Sequence, residues 1–260
     1  MVVGNSLSVI IVAGNEEKMI ADCLKSCAFA DEVIICHNST DNTIKLAKQI
    51  YPKVIIKENK LNQQKFDFAV ARNIGFKEAR SSWVLYLDCD ERITLALSKE
   101  IIKITKSKEV PFTNYDIPRA NYFLGQRVRY GGTYPDYVKR LFLRSSFSGY
   151  VGSLHEQPQI SGPSSVLKND LIHLTHRDLT SMLEKSIKWT VIEAEMLHDS
   201  GHPPVVWWRF PRMMFTKFWQ RFVKEQMWRD GIVGLISVIF EVFDTFIIYA
   251  RLWEIQQKRN

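Results

Sequence analysis

Cysteine is rare in this chain: its 260 residues include four, Cys23, Cys27, Cys36 and Cys89, and no two of them form a CxxC pair or a metal-ligand spacing. That argues against a disulfide framework and a thiolate zinc site, and it suits small buried hydrophobes in a reducing compartment. No positively charged leader precedes the apolar segment from Val9 to Ala13, so it reads as a first strand rather than a signal peptide. The longest late apolar stretch, 232–253, is broken by Glu241, Asp244 and Arg251. Such charges are expensive in lipid, so no membrane-crossing helix is expected. Internal repeats and low-complexity runs are missing too. Acid is in deficit, with 28 Asp and Glu against 35 Lys and Arg, and the net charge of +7 calls for an anionic partner such as phosphate, nucleic acid or a membrane surface.

With 46% apolar and 24% charged residues, the chain can bury a full core. The most telling stretch is the apolar run Trp83 to Leu87, which ends abruptly in Asp88, Cys89, Asp90 and Glu91. Its residue types favour a strand buried on both faces of a parallel sheet. Two acids two residues apart can grip one hard divalent cation, although acids after a strand also serve as turn and cap residues.

Around this run the hydrophobic period alternates. Strands are expected over 7–12, 32–36 and 54–56, and helices over 16–28, from Asp41 as N-cap to Ile50, and over 63–79. Four strands separated by three helices imply a parallel α/β sheet. A helix over 95–106 and strands over 115–124 and 137–143 follow, with glycine- and proline-bearing loops at 131–136 and 152–158. An amphipathic helix over 179–198, a break at Pro203 and Pro204, and a final helical stretch complete the chain. The expected division is a catalytic domain of 1–178 and a helical, basic and aromatic extension of 179–260.

Four segments, taken in order, resemble the inverting family 2 glycosyltransferases of GT-A fold. They are Ser8 to Glu17 at the first strand end, Asn38 to Thr43 after the second, Ala71, Arg72 and Asn73 on the third helix, and Leu87 to Glu91. Further landmarks at 117–125, 131–136, Arg140 to Phe142, His155 with Glu156, and 249–254 are similar to the lipopolysaccharide-core glucosyltransferase subgroup. The resemblance implies a mostly parallel sheet flanked by helices, and a nucleotide-diphosphate sugar as donor. A saccharide or glycolipid acceptor of the cell envelope and Mg2+ or Mn2+ as cofactor follow from it as well. It gives Asp90 to the metal, and His155 is a candidate either to ligate that metal or to orient the base. Asn15, Glu17, His37, Asp41, Arg72 and Asp88 go to the nucleotide-sugar. One departure stands out: Cys36 followed by His37 occupies the place where the family carries an aspartate that reads the base edge, so a uridine donor is favoured but rests on other groups.

Inversion needs a base for the acceptor hydroxyl. Glu156 is the first candidate and Asp136 the second. His173 and His176 form an HxxH pair with no cysteine or carboxylate in register, which makes buried or acceptor-binding histidines a better reading than zinc. The segment 207–229 interleaves aromatics with Arg209, Arg212, Lys217, Arg221, Lys224 and Arg229 against the single acid Glu225. Such a face suits an anionic membrane surface or packing on the catalytic domain, and no nucleic-acid module accompanies it. The expected location is cytoplasmic, peripheral on the inner face of the cell membrane. A non-catalytic nucleotide-sugar-binding or membrane-associated interaction protein on the same fold is the alternative, and a nucleotidyltransferase lacks its glycine-rich basic loop.

Overall fold

The computed structural model describes residues 6–59, 68–151 and 157–258. β1 (Leu7–Ala13) is buried along its whole length, as a strand covered on both faces must be. It is followed by α1 (Ile20–Ser26), β2 (Glu32–His37), α2 (Thr43–Ile50), β3 (Ile55–Glu58), α3 (Phe68–Glu78) and β4 (Trp83–Asp88). A short β5 (Glu91–Ile93) and α4 (Leu95–Thr105) come next. The alternating stretch is therefore the expected α/β arrangement. The helix expected from residue 16 begins only at Ile20, after a turn in which the Glu16 carbonyl accepts the Met19 and Ile20 N–H groups at 2.9 Å and the Glu16 and Glu17 N–H groups bond to Thr43 and Asp41. Asp41 is not the N-cap of α2. Asn42 holds that position, and the Asp41 carboxylate accepts the Thr43 N–H one residue further on.

The second half of the chain is strand-rich: β6 (Asn114–Phe123), β7 (Gln126–Arg127), β8 (Asp136–Leu143), β9 (Phe147–Val151), β10 (Gln157–Ile160), β11 (Ser164–Val166) and β12 (Leu171–His176). The main sheet runs β3-β2-β1-β4-β8-β6-β12-β5, with β7 and β11 both on β6, while β9 and β10 form a separate ribbon. From β3 to β4 the pairing is parallel, and β8 then runs antiparallel to β4 with Leu85 opposite Leu141. Helices α5 (Leu179–Asp199), α6 (Arg209–Phe218) and α7 (Gly231–Lys258) close the chain, with a π-helical turn at Trp219–Lys224 between the last two.

Two compact units result. The first comprises 1–119 with 137–173, and the second 120–136 with 174–260. The core of the first unit packs Ile10, Val12, Ile34, Cys36, Val84 and Tyr86 of the parallel strands against Ala71 and its neighbours on α3. Close approach of α3 to the sheet depends on Gly75, since a Cβ there would collide with Ile10 Cγ2 and lie 3.1 Å from Cys36 Sγ. We expect Gly75→Ala to cost about 1–3 kcal/mol through overpacking, read as a lowered denaturant midpoint with an unchanged slope.

Candidate active site

Strand register decides which loops meet. Val12 pairs with Asp88 and Ala13 with His37, so the segments leaving β1, β2 and β4 share the carboxyl edge of the parallel strands. Open α/β sheets hold their ligands at that edge. Three of the expected nucleotide-binding residues tie the first two loops together. Asn15 Oδ1 accepts the Thr40 N–H at 2.8 Å, and Glu17 donates its N–H to Asp41 Oδ2 at 3.2 Å. The Glu17 carboxylate in turn accepts from the Asn42 side chain at 3.2 Å. Burial pushes the Asp41 carboxyl up, but bonds from the Thr43 hydroxyl and N–H and the Glu17 N–H hold it below its usual range. Burial lowers the pKa of His37, with the Glu58 charge opposing, and its Nδ1 accepts the Ser39 N–H at 3.1 Å, so the N–H of the neutral ring is on Nε2. Cys36 faces the opposite way, into the core, where burial raises its thiol to about 12. It is neither an anion nor at the crevice.

In the third segment of the resemblance each of the three residues has its own contact. Ala71 is fully buried against the sheet, and Asn73 grips Tyr150 through both its side-chain amide groups, at 2.7 and 2.9 Å. Between them, Arg72 points its Nη2 at Asp88 Oδ1, 3.0 Å away, with its guanidinium over the Tyr150 ring. The other oxygen of Asp88 bonds to Arg140 Nη2, and that same nitrogen reaches Glu91 Oε1 at 2.8 Å. Glu91 closes the turn by accepting the Asp88 N–H at 2.9 Å, while Arg92 holds the carbonyls of Cys89 and Glu91 from below.

Burial opposes ionisation of Asp88, yet Arg140 and then Arg72 pull its carboxyl far below the usual carboxylate range. Glu91, with no solvent exposure, is shifted upward by burial; Arg140 opposes that shift and the neighbouring Asp88 charge adds to it. Arg140 is the site residue that sequence reasoning passed over, treating it as a landmark and as a salt-bridge partner for Glu156 rather than for Asp88 and Glu91. A signal was present, since an arginine inside a strand and next to its apolar run Leu141 to Leu143 is rarely buried without an acidic partner. Which partner depends on β8 running antiparallel to β4, a pairing between segments far apart in sequence.

Asp90, next along the turn, is half-buried with its carboxylate 3.5 Å from His173 Nε2. His176 instead stacks edge-on against Phe123 at 4.5 Å, so the two histidines of the HxxH pair have different surroundings. Among the described residues, no group of three or more His, Cys, Asp or Glu gathers as a metal cage. His155 and Glu156 lie outside the described residues.

Asp136 belongs to the second unit, where its carboxylate accepts from Asn121 Nδ2 at 3.2 Å. The loop before it is clamped by groups from the helical segment. Asp230 accepts the N–H groups of Arg129 and Tyr130, and Arg221 bonds to the Gly131 carbonyl while pairing with Glu225 and Glu241. Gly131 and Gly132 both have φ of +69°, and a Cβ on Gly131 would meet Met227 Sδ at 2.5 Å, so two glycines are needed here.

Residues 8–147 match glycosyl transferase family 2. The chain belongs to that family and is a glycosyltransferase. Its relatives include the lipopolysaccharide core biosynthesis glycosyltransferase LpsC of Rhizobium meliloti, 23% identical over 95% of this chain and 92% of that protein. An uncharacterised glycosyltransferase of Rickettsia typhi is 24% identical, over 97% of this chain and 88% of its own length. Among solved structures, S. aureus TarS 1–349 in complex with UDP-GlcNAc has a TM-score of 0.50 at 16% identity, covering 98% of this chain and 92% of that one, and so shares the fold.

Two variants test the clamps. Among the described residues, Arg140→Met leaves Asp88 paired with Arg72 alone and the fully buried Glu91 with Arg119 alone, at 3.5 Å, and should cost about 3–5 kcal/mol, measured by urea unfolding. Arg221→Met should cost less, about 1–3 kcal/mol, because its partners are partly solvated. Burial raises Glu225, but bonds from Gln220 and Arg221 hold its carboxyl low, so the stability it contributes is present above the ordinary carboxylate value and lost as pH falls through the depressed one. The acid limb of thermal stability should accordingly flatten in Arg221→Met.

Proposed function

We propose that the chain transfers a sugar, with inversion, from a nucleotide-diphosphate donor to a lipopolysaccharide-core or other cell-envelope saccharide, acting at the cytoplasmic face of a membrane. The observation that carries this reading is the meeting of three crevice loops around an Asp88 carboxylate whose two oxygens are both engaged by arginine. Asp88 is then poorly placed to ligate a metal, which leaves Asp90 as the hard oxygen donor of the turn. A single carboxylate plus substrate phosphates is the usual way Mg2+ or Mn2+ is held, and the donor set fits that mode, with His155 as the second expected ligand. The bound cation supplies positive charge to the departing diphosphate.

The remaining chemistry belongs to the chain. Arg72 places a fixed positive charge beside the diphosphate, and Asn15, Glu17 and Asp41 shape the pocket for ribose and base. His37 presents an N–H rather than a carboxylate, so it suits a carbonyl oxygen of a pyrimidine, consistent with a UDP-sugar. Glu156 removes the proton of the acceptor hydroxyl as that oxygen attacks the anomeric carbon, with Asp136 as the other candidate for this step.

The test is a comparison of transfer with donor binding. Thermal shifts with UDP-sugars and Mn2+ should rise in the wild type and lose their metal-dependent part in Asp90→Ala. Undiminished transfer by that variant would sink the assignment. Glu156→Gln should keep the donor-induced shift and stop transfer. If Asp136→Asn alone behaves this way, the base is Asp136.

A further inference from the structure

The second unit carries an apolar surface that its own fold does not cover. Among the described residues, every exposed large hydrophobic side chain apart from Leu95, Tyr137, Val151 and Val166 lies in this unit, as does every tryptophan but Trp83. On α7 the exposed residues Ile232, Leu235, Ile239, Phe243, Phe246 and Trp253 recur every three or four positions, or after two such steps, and form one stripe. On α6 and the turn that follows it, Trp208, Phe215, Trp219 and Val223 do the same, and the exposed Arg212 sits on that side, its guanidinium 5.5 Å from the Trp208 ring.

Helix α7 is long and apolar enough to cross a membrane on length and composition alone. Its acids decide otherwise. Glu241 is bonded to Arg221 at 2.6 and 2.8 Å and Asp244 to Ser186 on α5, so both lie on the side turned into the unit, away from the exposed stripe. The buried side of α7, with Val238, Tyr249 and Leu252, packs on protein. Such a helix has one face for lipid and one for its own domain, the signature of an element lying in the interface plane.

We infer that α6 and α7 form a monotopic docking face for an anionic lipid bilayer, with the α7 stripe and Trp208 and Trp219, at the two ends of α6, in the acyl boundary and Arg212, Lys224 and Arg229 on the headgroups. Charge complementarity selects this occupant over a second copy of the chain, since the segment 207–229 holds six basic residues against Glu225. Within that set Arg221 is spent internally, bonded to Gly131, Glu225 and Glu241, so the headgroup contacts fall to the exposed cations. The inference extends the membrane location given under the proposed function, and vesicle binding is read without any transfer reaction, so the two can fail separately.

The experiment is co-sedimentation of the full chain with vesicles of phosphatidylcholine alone or containing about one-third phosphatidylglycerol. The anionic vesicles should bind roughly tenfold more tightly, and raised salt should erase that advantage. Ile239→Ser with Phe243→Ser should release the protein while leaving its donor-induced thermal shift intact. Arg212→Glu with Lys224→Glu should remove the preference for anionic lipid. The inference is overturned by equal binding to both vesicles, by unchanged binding of the Ile239 and Phe243 variant, or by retention on the vesicles after alkaline carbonate, which would mean a spanning helix. A wild-type dimer in sedimentation velocity that this variant dissolves would overturn it as well, by assigning the face to a second copy.

Discussion

The buried nitrogen that Arg140 shares between Asp88 and Glu91 is the constraint on which the carboxyl edge of the parallel strands depends. Two carboxylates separated by one tight turn repel each other, and one of them has no access to water. Without a cation between them, one would have to take a proton or the turn would have to open. Arg140 removes that choice, and Arg72 balances the second oxygen of Asp88 from α3. A desolvated ion network of this kind is weak evidence for net stability, because the cost of burial nearly offsets the attraction. Its value is geometric: it sets the direction in which Asp90 leaves the turn, and it joins β4, β8 and α3 at one point.

A similar logic operates in the second unit with different parts. There the backbone of a glycine pair is the element held in place, by Asp230 at its N–H groups and by Arg221 at a carbonyl. Arg221 sits in a π-helical turn, a local widening that tends to occur where a helix is bent to serve a site. The helical segment therefore supports the loop ahead of Asp136 as well as presenting an apolar surface. This explains why a run of six basic residues does not act as one: Arg221 is internal and structural, Arg209 and Lys217 are half-buried, and Arg212, Lys224 and Arg229 are exposed.

Much of this was legible in the chain, for reasons that differ from element to element. β1, β2 and β4 are continuous apolar runs ended by polar crevice residues, and local pattern suffices to place them. The roles of Arg72 and Asn73 could be read only in part. Their helical position follows from periodicity, but their partners Asp88 and Tyr150 are set by the fold. That Arg140 needs an acidic partner was readable, but which acids serve was not, because they lie across an antiparallel pairing that no local period encodes. The start of α1 was legible only to within a turn: Glu16 and Glu17 are good helix formers by propensity, and the non-local partners of their N–H groups, Thr43 and Asp41, are set by the fold.

Helix α7 shows why composition alone misjudges such elements in both directions. A count of charges places Glu241, Asp244 and Arg251 against a membrane role, and a count of apolar residues allows a span. Neither count knows which way a side chain points. With 3.6 residues per turn, Glu241 and Asp244 fall opposite Ile239, Phe243 and Phe246, and their partners Arg221 and Ser186 belong to the same unit. The acids therefore do not weaken an outward apolar stripe; they fix the rotation of the helix so that the stripe faces out. Charge in this helix is an orienting device, and the physically meaningful quantity is the hydrophobicity of one face rather than of the segment.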